Sequence, residues 1–147
     1  MTQGHTRGHV SFHVPSARVL FSGDSLFSLG CGRLFEGTEL DLYHSLDRYS
    51  DLHDETLVAC AHEYTKANAA FCLSIDPENT DLLARAAEVD AFRAADMPTV
   101  PSTLGLERLT NSFLRTSELA VAAGAGLDNN ATPAAVFERL RALKDTF

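Results

Sequence analysis

Hydrophobic and polar residues alternate in the first part of the chain, which predicts β-strands there. Apolar side chains occupy every second position from residue 9 to residue 14, the period of a half-buried strand. Residues 15–17 predict a turn, and residues 18–22 a second strand that pairs back antiparallel as a hairpin. A third short apolar run at residues 56–60 predicts one more strand. A sheet is therefore expected in the first 63 residues.

Helical spacing dominates the rest of the chain. Thr38 and Asp41 have the spacing of a capping box, which predicts an amphipathic helix from Thr38 to about Tyr49. No strand is predicted beyond residue 75. Helices are predicted at residues 65–75, from Asp76-Pro77, at residues 104–109, at residues 117–123, and from Thr132-Pro133 to Lys144. The pattern favours an α/β (α+β) chain with a sheet-containing unit at 1–63 and an all-α unit at 64–147.

Composition and charge narrow the classes of partner. The 147 residues are 45% hydrophobic, enough for a substantial core, and carry a net charge of −8. The 12 basic residues are scattered, which argues against binding nucleic acid or an anionic membrane, and no apolar run approaches membrane-spanning length. A small molecule is the expected partner. Three unpaired cysteines and the lack of a leader predict a cytoplasmic protein with reduced thiols.

The candidate chemistry centres on Asp24. This acidic residue follows an apolar strand directly and has apolar neighbours, an environment that is costly for a carboxylate without a cation or several donors. His5 and His62 also lie beside apolar strands, and strands of one sheet bring their end residues to one edge. Imidazole and carboxylate bind zinc, iron and manganese, so the three residues predict one metal site. The alternative is that Asp24 only accepts N–H groups in a turn.

Longer motifs surround these three residues. They are Gly4-His5-Thr6-x-Gly8-His9, Gly23-Asp24-Ser25-Leu26-Phe27, Gly30-Cys31-Gly32-Arg33-Leu34-Phe35-Glu36-Gly37, His62-Glu63-Tyr64-Thr65, Pro98-Thr99-Val100-Pro101-Ser102-Thr103-Leu104 and the ending Lys144-Asp145-x-Phe147. With them the chain resembles the glyoxalase II family, the hydroxyacylglutathione hydrolases of the metallo-β-lactamase fold. The resemblance covers the whole chain. It implies the C-terminal half of a metallo-β-lactamase αββα sandwich, followed by an all-α substrate-binding domain.

The resemblance also implies a reaction and a set of site residues. The reaction is metal-dependent hydrolysis of the S-lactoylglutathione thioester to glutathione and D-lactate, by water that the metal activates. Two divalent ions are implied, zinc first, with iron or manganese as alternatives. Their ligands would be His5, His62 and a bridging Asp24. The residues that match the family's glutathione-binding positions are Arg33, Phe35, Tyr64, Arg141 and Lys144, with Phe35 standing where other members have Tyr.

One motif of the family does not occur in this sequence, the Thr-His-x-His-x-Asp-His loop that supplies most of the remaining metal ligands. Three ligands shared by two ions fall well short of the four or so ligands that one stable zinc site normally has. The expectation is therefore a chain that binds metal weakly and is weakly active or inactive alone, with an exposed apolar sheet face, and that is a monomer at full length. Two alternatives are a persulfide dioxygenase-like iron enzyme of the same fold and a non-catalytic fragment that binds glutathione conjugates.

Other reactive residues are expected to be structural. His9 and His13 are predicted to be surface residues of a strand, Cys31 a structural thiol rather than a nucleophile, and Cys60 part of the core. Arg141 and Lys144 lie three residues apart on the last predicted helix, so they share a face that could hold a carboxylate. The alternative for this pair is that it complements the helix dipole.

Overall fold

The computed structural model describes residues 1–147 and confirms the mixed α/β class. In chain order the elements are β1 (Phe12–Val14), a 3₁₀ helix (Pro15–Ala17), β2 (Val19–Gly23), β3 (Leu26–Phe27), β4 (Gly30–Cys31), α1 (Glu39–Asp47), β5 (Leu57–Cys60), α2 (Thr65–Ile75), α3 (Thr80–Ala94), β6 (Ser102–Thr103), α4 (Leu104–Thr110), a second 3₁₀ helix (Ser112–Leu114), α5 (Leu119–Gly124) and α6 (Pro133–Thr146).

A four-stranded sheet with the order β1-β2-β5-β6 lies at the centre of the fold. The β1–β2 pair is antiparallel, as the hairpin pattern predicts, whereas β2 and β5 run parallel. β6 pairs antiparallel with β5, so the prediction that strands end before residue 76 is wrong. A strand of two residues is too short to show any alternation of apolar and polar positions.

One face of this sheet exposes apolar side chains, as expected. Phe12 and Phe21 are opposite each other in the β1–β2 register and are 65% and 50% exposed. Val10 and Val14 are exposed beside them. The first strand differs from its prediction, because it begins at Phe12 rather than at residue 9 and none of its residues is buried. As an edge strand it has a single neighbour, and its side chains pack against no other element of the core.

The other face of the sheet packs on the helices. Leu20 of β2 and Val58 of β5 are buried there in one hydrophobic cluster with side chains of α1, α2 and α6. The largest fully buried side chains of that cluster are Phe71 and Phe137. Burial of apolar area of this kind is the main favourable contribution to folding, and it joins the sheet and the helical part in one core.

The helix boundaries follow local capping chemistry. The Thr38–Asp41 capping box is present and begins α1, and the Thr132 side chain caps α6, both as predicted. The helix expected at Asp76-Pro77 instead begins at Thr80, where the Asn79 side chain accepts from the Leu82 N–H. Asp76 is buried at the end of α2 and forms an ion pair with Arg115 at 3.2 Å, so it is not available as a cap.

A buried carboxylate connects the sheet-side hairpin β3–β4 to the helical part. Glu107 of α4 is fully buried and accepts four hydrogen bonds, at 2.6–3.1 Å. Two donors, the Ser28 hydroxyl and the Leu29 N–H, belong to the hairpin. The other two are the Ser102 hydroxyl and the Asn111 amide. Burial raises the pKa of Glu107 above its ordinary value, and these donors limit the rise.

Removal of the Glu107 carboxylate is therefore expected to destabilise the fold. Glu107→Ala leaves the Leu29 N–H buried without an acceptor and removes one of the three acceptors of the Asn111 amide, which should cost about 3 kcal/mol. Glu107→Gln should cost less, because the two serine hydroxyls can rotate to accept. Urea unfolding measures both variants against Glu138→Ala, an exposed position on α6. Equal stability of Glu107→Ala and Glu138→Ala would show that the Glu107 carboxylate does not stabilise the fold.

Candidate metal and substrate site

Asp24 lies between two imidazoles at the end of β2. Its Oδ1 is 3.1 Å from His62 Nε2, and its Oδ2 is 4.0 Å from His5 Nε2. β2 and β5 are parallel neighbours, so the residues that follow them reach the same edge of the sheet. The structure thus brings together the three residues that the sequence assigned to one site, with each histidine facing a different oxygen of one carboxylate.

His5 is held in a fixed orientation. Its Nδ1–H donates to the Arg33 carbonyl at 2.7 Å, and the Phe35 ring packs perpendicular to the imidazole at 5.1 Å between centroids. The Phe35 N–H also donates to the His5 carbonyl at 3.0 Å. With the proton on Nδ1, the lone pair of Nε2 is directed at Asp24. This is the arrangement in which a histidine serves as a metal ligand.

His62 and Tyr64 form a stacked pair at the other side of Asp24. Their rings are 4.9 Å apart and nearly parallel, and Phe27 contacts both edge to face. Both residues are about half exposed, His62 at 46% and Tyr64 at 51%. Tyr64 also precedes the first turn of α2, so the turn after β5 places one candidate ligand and one candidate substrate contact side by side.

Glu63, between these two residues, anchors the turn to the segment after α3. Its carboxylate accepts from the Thr99 N–H at 2.8 Å and from the Thr99 hydroxyl at 2.5 Å. The Thr99 carbonyl in turn accepts from the buried Arg85 at 2.8 Å. Burial alone would raise the pKa of Glu63, but the favourable contacts of its carboxylate, led by the two hydrogen bonds from Thr99, together lower it.

The three residues fit a divalent metal in their donor chemistry, but they do not complete a site. Ligands around one zinc ion lie about 2.0–2.2 Å from it, so the 3.1 Å between His62 and Asp24 matches two ligands of one ion. The 4.0 Å between His5 and Asp24 is looser. No group of three or more His, Cys, Asp or Glu side chains in the structure is arranged to hold a metal ion. Further ligands would have to come from other groups.

The candidate substrate residues of α6 connect to the same site through Arg33. Asp145 Oδ1 is 3.5 Å from Arg33 Nε and 2.9 Å from Arg141 Nη2. Arg141 is only 4% exposed, and its other Nη group is 3.4–3.5 Å from the carbonyls of Cys31 and Gly32. Arg33 is exposed. The prediction that Arg141 and Lys144 share one face that could hold a carboxylate is therefore wrong. Arg141 is buried and packs α6 against the end of β4, whereas Lys144 contacts α2.

The Lys144 side chain reaches the first turn of α2 and lies over the rings of Phe71 and Phe147. Its ammonium group donates to the Ala67 carbonyl at 3.3 Å and is 5.0 Å from the Phe71 ring centroid and 5.2 Å from that of Phe147. Partial burial lowers the pKa of Lys144. Ala67 is three residues after Tyr64, so Lys144 and Tyr64 lie at the same end of α2.

The cysteines are free and are not arranged as nucleophiles. Cys31 is buried, and burial raises the pKa of its thiol to about 11 although the Arg141 guanidinium lowers it. Its thiol is therefore protonated at neutral pH, in agreement with the prediction of a structural thiol. The placement of Cys60 in the core is wrong, because Cys60 is half-buried and its thiol donates to the His62 carbonyl at 3.4 Å.

His9 is the site residue that sequence reasoning misplaced. It was predicted to be a surface strand residue like His13, but it is half-buried, and its Nε2 accepts from the Asp24 N–H at 3.0 Å. His13 is exposed, as predicted. The available signal was the position of His9 at the end of the first motif, directly after Gly8 and outside β1, which begins at Phe12.

In comparisons with known proteins, each half of the chain matches the model of a protein family. The model described as "Hydroxyacylglutathione hydrolase C-terminus" matches residues 63–147, and that of the "Metallo-beta-lactamase superfamily" matches residues 1–62. A protein of Maricaulis maris strain MCS10 named hydroxyacylglutathione hydrolase is 51% identical over 146 residues, which are 99% of this chain and 57% of that protein. One from Ruegeria pomeroyi with the same name is 51% identical over 98% of this chain and 56% of its own length.

A third relative with that name, from Brucella anthropi, is 49% identical over 99% of this chain and 56% of its own length. The chain therefore spans a little more than half the length of the curated relatives it matches. None of its helices combines the length and the apolar character that crossing a membrane requires.

The link between Glu63 and Thr99 predicts a pH-dependent contribution to stability. The pKa of Glu63 is lowered on folding, so its contribution is present above the ordinary value of 4.5 and is lost as pH falls through the lower folded pKa. Glu63→Gln, which removes the charge, should cost about 1 kcal/mol at neutral pH. The difference from wild type should vanish well below pH 4.5 in urea unfolding. The control is Glu78→Gln, and a Glu63→Gln deficit that persists in acid would contradict the prediction.

Proposed function

The chain belongs to the hydroxyacylglutathione hydrolase family, and from that premise we propose that it acts in the hydrolysis of S-(2-hydroxyacyl)glutathione thioesters, with S-lactoylglutathione as the first substrate to test. The products would be glutathione and a 2-hydroxy acid, D-lactate in that case. The observation that supports this most is the connection between the metal-facing and substrate-facing residues.

That connection can be followed contact by contact. Arg141 and Asp145 of α6 join Arg33, whose carbonyl holds His5. His5 faces Asp24, and Asp24 faces His62, which stacks on Tyr64. A cation that could bind a carboxylate is thus linked by direct contacts to a pair of imidazoles that could bind a metal. A glutathione thioester needs both, since its peptide is anionic and its carbonyl is polarised by a cation.

The metal that the family implies would be held by His5, Asp24 and His62, with Asp24 contributing one oxygen toward each histidine. When bound, a divalent cation would lower the pKa of a water molecule to about 7 and polarise the thioester carbonyl. Zinc suits the two nitrogen donors and the carboxylate, and iron and manganese are alternatives.

The remaining residues would bind and orient the glutathione part. Lys144 and the exposed Arg33 offer positive charge for its carboxylates, and the exposed Tyr64 offers a hydroxyl beside His62. Phe35 covers His5 with an apolar ring and provides no hydroxyl. Arg141 would support the site without touching the substrate, because it is buried against the carbonyls of Cys31 and Gly32 and pairs with Asp145.

The proposed reaction balances without an oxidant or a further substrate. Water adds an oxygen to the thioester carbon, the carbon–sulfur bond breaks, and the sulfur leaves as the glutathione thiolate, which takes up a proton from water. Persulfide oxidation, the other reaction considered for this fold, would also consume oxygen. We place the reaction in a reducing compartment such as the cytoplasm, because the three free cysteines are half-buried or buried and unpaired.

A second candidate function is the binding of glutathione conjugates without turnover. The observation that favours it is the incomplete metal site, since the three candidate ligands do not form a group that could hold an ion by themselves. Lys144, a candidate substrate residue of the proposed helical unit at 64–147, is positioned by the Ala67 carbonyl and the Phe71 ring, neither of which is a candidate metal ligand. With three ligands for two ions, turnover by this chain should be slow.

The first test is turnover of S-D-lactoylglutathione by the zinc-loaded chain, followed as release of free thiol. Asp24→Ala should lower kcat/KM at least about 100-fold. Removing a residue that only hydrogen-bonds to a metal ligand already lowers metal affinity or activity about 10- to 100-fold, and Asp24 would be a ligand itself. Asp51→Ala changes an exposed carboxylate elsewhere and should have no effect. Unchanged turnover after Asp24→Ala would contradict the proposal. Oxygen consumption with glutathione persulfide would favour the dioxygenase instead.

Calorimetry separates the hydrolase from the binding function. S-hexylglutathione, a thioether that cannot be hydrolysed, should bind the chain, and Lys144→Ala should weaken binding about 10-fold through loss of one charge-assisted contact. Arg139→Ala, a cation of the same helix whose Nε contacts the Ala125 carbonyl, is the control. Binding without turnover supports the second candidate. Absence of both binding and turnover contradicts both functions.

A further inference from the structure

His9 makes a hydrogen bond that fixes both its protonation and its position. The Asp24 N–H donates to His9 Nε2 at 3.0 Å, so Nε2 carries no proton. On the other side of the ring, Nδ1 is 3.1 Å from the Thr2 carbonyl and 2.9 Å from the Thr2 hydroxyl. The Nδ1–H donates there. The ring therefore accepts at Nε2 and donates at Nδ1, and it is held between Thr2 and Asp24.

The backbone beside Asp24 is shaped around this ring. Gly23 has a φ of +57°, a conformation that glycine adopts without strain. A Cβ on Gly23 would also be 2.7 Å from His9 Nε2, closer than a real Cβ is tolerated. The absence of a side chain at Gly23 allows the imidazole to reach the Asp24 N–H directly. The ring also packs perpendicular to His5 at 6.1 Å between centroids.

We propose that His9 is a positioning residue of the metal site, one that aims the Asp24 carboxylate between His5 and His62. The proposal rests on the proposed function, since it concerns the same site. His9 is not a ligand, because its Nε2 lone pair is occupied by the Asp24 N–H and its Nδ1 by Thr2. Its bond fixes the plane of the peptide from which the Asp24 side chain extends.

The carboxylate depends on that plane, since each of its oxygens faces a different imidazole, at 3.1 and 4.0 Å. A rotation of the Asp24 peptide would move one oxygen away from its histidine. No other group in the structure accepts from the Asp24 N–H. Loss of the His9 ring would therefore leave this N–H to water and leave the carboxylate free to reorient.

Zinc affinity tests the role of His9. In competition with a chromophoric chelator, His9→Ala should bind zinc about 10- to 100-fold more weakly than wild type, the usual effect of removing the partner of a ligand. His9→Gln, whose side-chain oxygen can accept the same N–H, should recover most of the affinity. His13→Ala, an exposed histidine of β1, is the matched control and should bind like wild type. A purely structural role would lower the thermal stability of His9→Ala and leave its zinc affinity unchanged.

The outcomes separate this inference from the proposed function. If wild type binds zinc and His9→Ala binds it equally well, the inference is overturned and the metal site stands. If wild type binds no zinc, the metal site fails, and the inference fails with it. Nitrogen-15 NMR of the metal-free chain gives a readout that needs no metal. It should show the His9 proton on Nδ1, and a proton on Nε2 would overturn the inference.

Discussion

The buried carboxylate of Glu107 is the constraint on which the arrangement of the site depends. A fully buried carboxylate is tolerated only when several donors face it, and here two come from the β3–β4 hairpin, one from Ser102 of β6 and one from Asn111 after α4. The hairpin begins two residues after Asp24, so its position determines where the Asp24 turn can lie. Asn111 strengthens the link, because its amide also donates to the Phe27 and Gly30 carbonyls.

Polar contacts of other side chains likewise hold the remaining parts of the site together. Arg141, buried on α6, contacts the carbonyls of Cys31 and Gly32 at the end of β4, and Glu63 ties the His62 turn to Thr99. Each of these side chains comes from the helical part or contacts it, whereas His5 and Asp24 belong to the sheet-side segment. The two family models meet at residues 62 and 63, and the polar contacts cross that boundary. The two sequence families therefore divide at residue 63. We propose a domain boundary there as well, between two domains that these polar contacts hold together.

The sequence predicted the elements with strong periodicity or clear caps and missed those with neither. The capping residues Thr38 and Thr132 identified the starts of α1 and α6, and Asp24 and His62 follow the ends of β2 and β5 as predicted. The expectation that His5 is also a strand-end residue is wrong, because β1 begins only at Phe12. The two-residue strands β3, β4 and β6 have no period to detect. The roles of Glu107 and His9 depend on contacts 78 and 15 residues away in sequence, which local pattern does not encode.

We propose that His5, Asp24 and His62, and not the cysteines, provide the metal ligands of this chain. X-ray absorption at the zinc edge of the zinc-loaded protein tests it directly. We predict nitrogen and oxygen scatterers at about 2.0–2.2 Å, with the outer-shell pattern of two imidazoles. A sulfur scatterer at about 2.3 Å would show that Cys31, Cys60 or Cys72 binds the metal, and that result would contradict the claim.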